Sequence, residues 1–139
     1  MYKINKTLTI IIVSTILLVG MISLAGNKEK IDIPFSQNII DKLNQDFINT
    51  PNNIEFIGFL YGDEIIDGYS LLGYKNAITG DIIGDIRTGV EFSEITIHSH
   101  PKHDIFTGIC LLSPIDRMSL EQVSCVICGE NKIVCFKLR

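Results

Sequence analysis

Two histidines separated by a single residue are the first feature of this sequence that could do chemistry. His98 and His100 end a β-prone run and are followed by Pro101. Because side chains alternate along an extended strand, both imidazoles fall on one face and can reach one metal ion. Pro101 has no N–H for a sheet ladder, so we expect the strand to end there. The alternative for such a pair is two solvated or hydrogen-bonded histidines.

A carboxylate that could complete the set follows in a pattern typical of a helix start. Ser113 can act as the N-cap, Pro114 suits the first helical position, and Asp116 falls in the first turn. A helix would hold Asp116 at a defined point on a rigid element. The spacing therefore predicts that Asp116 joins the two histidines in a His, His, Asp set.

Three separate stretches of the chain resemble the motifs of the JAB1/MPN/Mov34 metalloprotease family, also called JAMM or MPN+ proteins. Residues 98–101 read His-Ser-His-Pro and residues 113–116 read Ser-Pro-Ile-Asp, which match His-(Ser/Thr)-His-Pro, a loop, and Ser-x-x-Asp. The family also has an upstream glutamate at the head of Glu-x-x-Gly-x-Leu-x-Gly. Residues 55–62 read Glu-Phe-Ile-Gly-Phe-Leu-Tyr-Gly, and the resemblance extends over most of residues 50–138.

The resemblance implies a zinc hydrolase with a defined set of roles. One Zn²⁺ per chain would be held by His98, His100 and Asp116, with an open position for water. Glu55 would be the general base, and Ser113 would help to stabilise the oxyanion. The implied substrate is a protein, cleaved at isopeptide or peptide bonds as in ubiquitin-like conjugates. The implied fold is α+β of the α/β/α-like MPN type, a curved, mostly antiparallel sheet flanked by helices.

The loop behind the histidines departs from the family pattern. Eleven residues, 102–112, separate Pro101 from Ser113, which is longer than the usual family spacing. We interpret the extra length as an insertion beside the site. His103 and Asp104 lie in it and are expected at the surface.

Three other readings of the same residues stay open at this stage. A catalytically inactive MPN scaffold would keep the fold and mediate assembly at the membrane. A related fold associated with DNA repair carries a similar His-x-His-Pro motif. A zinc hydrolase acting on a small amide would share the ligands but not the protein substrate.

The N-terminus carries an apolar run that could reach a membrane. Residues 1–6 form a basic flank, and residues 7–26 contain no charge and would span roughly 30 Å as a helix. They predict a single-pass signal anchor, with a cleaved signal peptide as the alternative. Positive charges favour the cytoplasmic side of a membrane segment, but each flank of residues 7–26 carries two Lys or Arg residues. The positive charge of the free amino terminus therefore decides, and it favours a cytoplasmic N-terminus with the following domain on the extracytoplasmic side. Residues 27–33 read as a linker and 34–139 as the catalytic domain.

The charge of the part that follows the apolar run argues against nucleic acid as a partner. Residues 27–139 carry all sixteen acidic residues against ten Lys and Arg, a formal charge of −6. No basic run is present to bind a phosphate backbone. The oligomeric state is not indicated by the sequence.

Hydrophobic periodicity predicts one helix followed by strands. Ser36 can cap a helix with Ile39, Ile40, Leu43 and Phe47 on one side, ending near Thr50. Strands are expected over 54–61, 69–74, 92–98, 122–128 and 133–138, with turns at the Gly-Asp pairs between them.

The four cysteines are expected mainly as small buried hydrophobic residues. Cys125 and Cys128 form a Cys-x-x-Cys, but a spacing of three on a strand puts their sulfurs on opposite faces. A cross-strand disulfide between Cys125 and Cys135 is the alternative if the domain is exported.

Overall fold

A seven-stranded mixed sheet with one helix forms the described part of the chain. The structure is a computed structural model that describes residues 28–102, 110, 112, 116 and 122–138. The sheet order is β1-β7-β6-β5-β2-β3-β4, and every neighbouring pair is antiparallel except β5 and β6. The elements are β1 (Lys28–Ile31), α1 (Gln37–Asn49), β2 (Ile54–Tyr61), β3 (Gly68–Asn76), β4 (Ile82–Ile83), β5 (Ile95–Ser99), β6 (Val123–Gly129) and β7 (Lys132–Leu138).

Helix α1 begins and ends as the sequence predicts. The Ser36 hydroxyl accepts a hydrogen bond from the Ile39 N–H at 3.4 Å, which satisfies one of the free donors of the first turn. Ile39, Leu43 and Phe47 are buried because they recur on one face of the helix. The helix ends at Asn49, where Thr50 is the C-cap.

The two faces of the sheet carry different clusters. One face packs on α1 and contributes Phe56, Ile97 and Cys125 to the main core. The opposite face has a smaller cluster that includes Leu112 and Val126. Because β5 and β6 are parallel, the chain between them must cross back over a face of the sheet. Leu112 belongs to that crossover and packs on the face opposite α1.

Two expectations about the architecture need correction. The predicted linker over 27–33 contains β1, which pairs with β7 from Lys28↔Leu138 to Ile31↔Cys135. Its polar sequence suits an edge strand, since charged residues on an edge prevent pairing with other chains. The expectation that helices flank the sheet is also only partly met, because α1 is the one full helix among the described residues.

All four cysteines are paired in disulfides, which corrects the expectation of buried free thiols. Cys125 bonds to Cys135, the alternative considered from sequence, because the β6–β7 register sets them directly opposite each other. Cys110 bonds to Cys128 and ties the crossover to β6. Cys125 and Cys128 do lie in clusters on opposite faces, as the strand alternation predicts.

The predicted membrane segment, residues 7–26, lies outside the described residues. Within the described ranges, no helix combines the length and apolarity needed to cross a bilayer.

Candidate metal centre

The two histidines lie on the sheet face that α1 does not cover. On β5, Ile97 points into the main core, so its neighbour His98 points to the opposite face. His98 and His100 are 8% and 4% exposed, and their ring centroids are 5.4 Å apart. The chain leaves the ladder at His100, whose N–H still donates to the Ile127 carbonyl at 3.0 Å. This hydrogen bond to β6 keeps His100 beside His98 after β5 has ended.

Asp116 meets the histidines from the crossover. Its Oδ2 atom lies 3.1 Å from His98 Nε2 and 3.5 Å from His100 Nε2. Asp116 itself has helical backbone geometry and is half-buried. Residues far apart in the chain therefore bring three potential ligand atoms within 4.8 Å of one another.

The geometry of these atoms fits a metal ion. Two ligands at typical Zn–N and Zn–O lengths on a tetrahedral ion are about 3.3 Å apart, and the two measured separations fall on either side of that value. Both ring nitrogens of His100 are buried without a hydrogen-bond partner among the described residues. A buried polar atom normally has a partner, so this imidazole lacks what a metal ion would supply. The buried His98, His100 and Asp116 group could therefore hold a metal ion.

Glu55 lies on the same face as the triad, at the start of β2. Ile57 pairs with His98 in the antiparallel β2–β5 ladder, and Glu55, two residues before Ile57 on the same strand, shares its face of the sheet. The Glu55 side chain is only 12% exposed. Its Oε2 atom pairs with the Nζ atom of Lys75, its cross-strand partner on β3, at 3.1 Å. The ion pair compensates for the burial of the carboxylate.

Ser99, between the two histidines, has a structural role that the sequence reading missed. Its hydroxyl accepts a hydrogen bond from the Phe56 N–H at 2.9 Å, and the residue is 1% exposed. A side-chain oxygen thus replaces a backbone carbonyl where β2 and β5 approach the site. The sequence feature that could have indicated this role is a hydroxyl residue at a core-facing position of an otherwise apolar strand.

A cavity of about 300 Å³ adjoins the triad. Its walls combine His98 and Asp116 with the apolar side chains of Ile57, Phe59 and Leu72. Larger cavities of about 520 and 890 Å³ lie along α1 and β3 and beside the 85–91 segment, away from the histidines. The smaller cavity is the relevant one because it opens on the potential ligands.

The remaining predicted site residues cannot be placed in this geometry. Ser113, the expected oxyanion stabiliser, lies outside the described residues, and so do His103 and Asp104. Comparison with protein-family models, with curated proteins and with solved structures found no match for this chain. The resemblance to the JAMM family therefore rests on the three motif stretches alone.

Proposed function

We propose that this chain is a zinc-dependent metalloprotease of the JAMM type that hydrolyses isopeptide or peptide bonds. The observation that carries the proposal is the buried His98, His100 and Asp116 group, with ligand-like separations and an unpartnered imidazole. The donor set of two nitrogens and one carboxylate oxygen is that of a catalytic zinc site, which keeps one position open. When bound, zinc supplies a Lewis acid that acidifies water and polarises a carbonyl.

Glu55 is the general base of the proposed reaction. It accepts a proton from the attacking water and later delivers that proton to the leaving amine. Its position on the same face of the sheet as His98 and its burial support this role. Ser113 is assigned to the oxyanion by the family resemblance. The resemblance likewise supplies the substrate class, ubiquitin-like protein conjugates.

The proposed location is a membrane, with the catalytic domain on the extracytoplasmic side. The apolar run over residues 7–26 provides the anchor. Two disulfides in a small domain support the outer side, because disulfides persist in oxidising compartments.

The deciding experiment uses the full chain, kept in mild detergent. Elemental analysis should find about one zinc per chain, and a ubiquitin-like fusion should be cleaved. Glu55→Gln should retain zinc and lose at least about 100-fold in turnover, since general acid–base catalysis contributes about 10²–10⁴-fold. Glu64→Gln, an exposed carboxylate changed in the same way, is the control and should cleave normally.

Each outcome separates one alternative. A zinc content near zero would refute the metal centre. Full zinc with no cleavage by the unmodified chain would favour the inactive scaffold or a different amide substrate. Equal cleavage by the unmodified chain and Glu55→Gln would remove Glu55 from the mechanism.

A further inference from the structure

Lys28, on the edge strand β1, reaches the main chain of a proposed metal ligand. Its Nζ atom donates to the Asp116 backbone carbonyl at 2.9 Å and to the Ser124 hydroxyl at 3.4 Å. In sequence, Lys28 is 88 residues from Asp116 and 96 from Ser124. The side chain is half-buried and crosses over β7 to reach β6.

The two acceptors differ in how firmly the fold holds them. Ser124 is 3% exposed and lies on β6, an interior strand of the sheet. Its position is therefore fixed by the pairing of β6 with β7 and β5. Asp116 belongs to the crossover, which is not part of the sheet. An ammonium that donates to both atoms therefore fixes the Asp116 backbone relative to β6. Hydrogen bonds with a charged donor are the stronger kind, so this link is suited to holding a residue outside the sheet in place.

We propose that Lys28 is a positioning residue for the metal centre and holds Asp116 so that its carboxylate meets His98 and His100. The inference rests on the proposed function, because it concerns the same zinc site. Outer contacts that orient a ligand contribute to metal affinity, and their loss typically weakens binding by about 10–100-fold. Lys28 therefore acts through Asp116.

A purely electrostatic effect of Lys28 would have the opposite sign. A positive charge near a divalent cation repels it, so removal of the ammonium alone would tighten zinc binding. Removal of a positioning contact would weaken it. The direction of the change in zinc affinity thus separates the two roles.

The test compares zinc affinity in single variants of the full chain in mild detergent, by competition with a chromophoric chelator. Lys28→Met should raise the zinc Kd by about tenfold. Lys28→Arg, which keeps a charged donor, should weaken zinc binding less than Lys28→Met does. Lys30→Met is the matched control, since Lys30 is an exposed lysine on the same strand and should leave the Kd unchanged.

Hydrogen exchange in the zinc-free chain gives a second, metal-independent measurement. The peptide that contains Asp116 should exchange faster in Lys28→Met than in the unmodified chain or in Lys30→Met. An unchanged or lower zinc Kd in Lys28→Met, or an equal effect of Lys30→Met, would overturn the inference. An unmodified chain that binds no zinc would overturn the proposed function, and unchanged exchange of the Asp116 peptide would then overturn the positioning role as well.

Discussion

The disulfide between Cys110 and Cys128 offers the sharpest test of how the crossover supports the metal centre. Cys110 lies between His100 and Asp116 in the chain, so the bond fixes the crossover close to the carboxylate ligand. The variant Cys110→Ala/Cys128→Ala removes this attachment and leaves β5 and β6 in place. We expect weaker zinc binding in this variant. Without the disulfide, a longer unconstrained segment of chain must become ordered to bring Asp116 to the two histidines.

The magnitude follows from the lengths of the two segments. With the disulfide, Asp116 lies six positions after the fixed Cys110; without it, Asp116 lies sixteen positions after His100. Loop-closure entropy scales as (3/2)RT ln n, so the difference is about 0.9 kcal/mol, or about fourfold in zinc Kd. Loss of the covalent loop, with a sequence separation of 18, should also lower the free energy of unfolding by about 3 kcal/mol.

The matched control is Cys125→Ala/Cys135→Ala, which removes the other disulfide. That bond joins two strands already paired in register, at a sequence separation of 10, and lies on the face opposite the histidines. Its loss should lower stability by a similar amount and leave the zinc Kd unchanged. Chelator competition measures the Kd, and denaturant titration of the zinc-free proteins measures stability. Variants are preferable to thiol reductants, which bind zinc themselves. Equal zinc Kd values for the two double variants would refute the reasoning.

Three further predictions concern single features. Ser99→Ala should lower the free energy of unfolding by about 1–3 kcal/mol in denaturant titration, because the buried Phe56 N–H loses its acceptor. A change below about 0.5 kcal/mol would contradict the role assigned to Ser99. Burial, together with the hydrogen bond that Tyr69 donates to Asp46, raises the pKa of Tyr69, so its contribution to stability is present below about pH 10 and lost above it. The free energy of unfolding, measured from pH 8 to 11, should therefore fall less with rising pH in Tyr69→Phe than in the unmodified chain. Identical slopes of the free energy against pH for the two proteins would contradict this prediction. If the domain faces an oxidising compartment, its cysteines should resist alkylation in intact cells until a reductant is added, whereas direct labelling would place it on the reducing side.

Local patterns in the sequence were enough to predict α1 and most of the strands. Ser36 and the spacing of Ile39, Leu43 and Phe47 determine where α1 begins and which side is buried, and both features depend on neighbouring residues only. The alternation on β5 also predicted that His98 and Ile97 face opposite sides of the sheet. These expectations are confirmed because strand and helix periods act over a few residues.

The elements that the sequence did not predict depend on distant parts of the chain. β1 reads as a linker because its Lys-Glu-Lys-Ile sequence is polar, and it becomes a strand only by pairing with β7 at the other end of the chain. The Cys110–Cys128 bond depends on the path of the crossover, which the spacing of cysteines does not reveal. The contact of Lys28 with Asp116 is non-local for the same reason. The functional roles of Glu55 and of the zinc ion stay predictions that the experiments above address, and the role of Ser113 stays a prediction from the family resemblance.

The alternation along β5 has a consequence for how the protein can change over evolutionary time. Ile97 and Ser99 serve the folded core, whereas His98 and His100 serve the site on the other face. Substitutions of Ile57, Phe59 and Leu72, which line the cavity from the face opposite α1, can therefore reshape it while the packing against α1 is kept. The residues that line the cavity and those that pack against α1 are therefore largely different, with Ile97 common to both sets, so a change of specificity needs few changes in the main core.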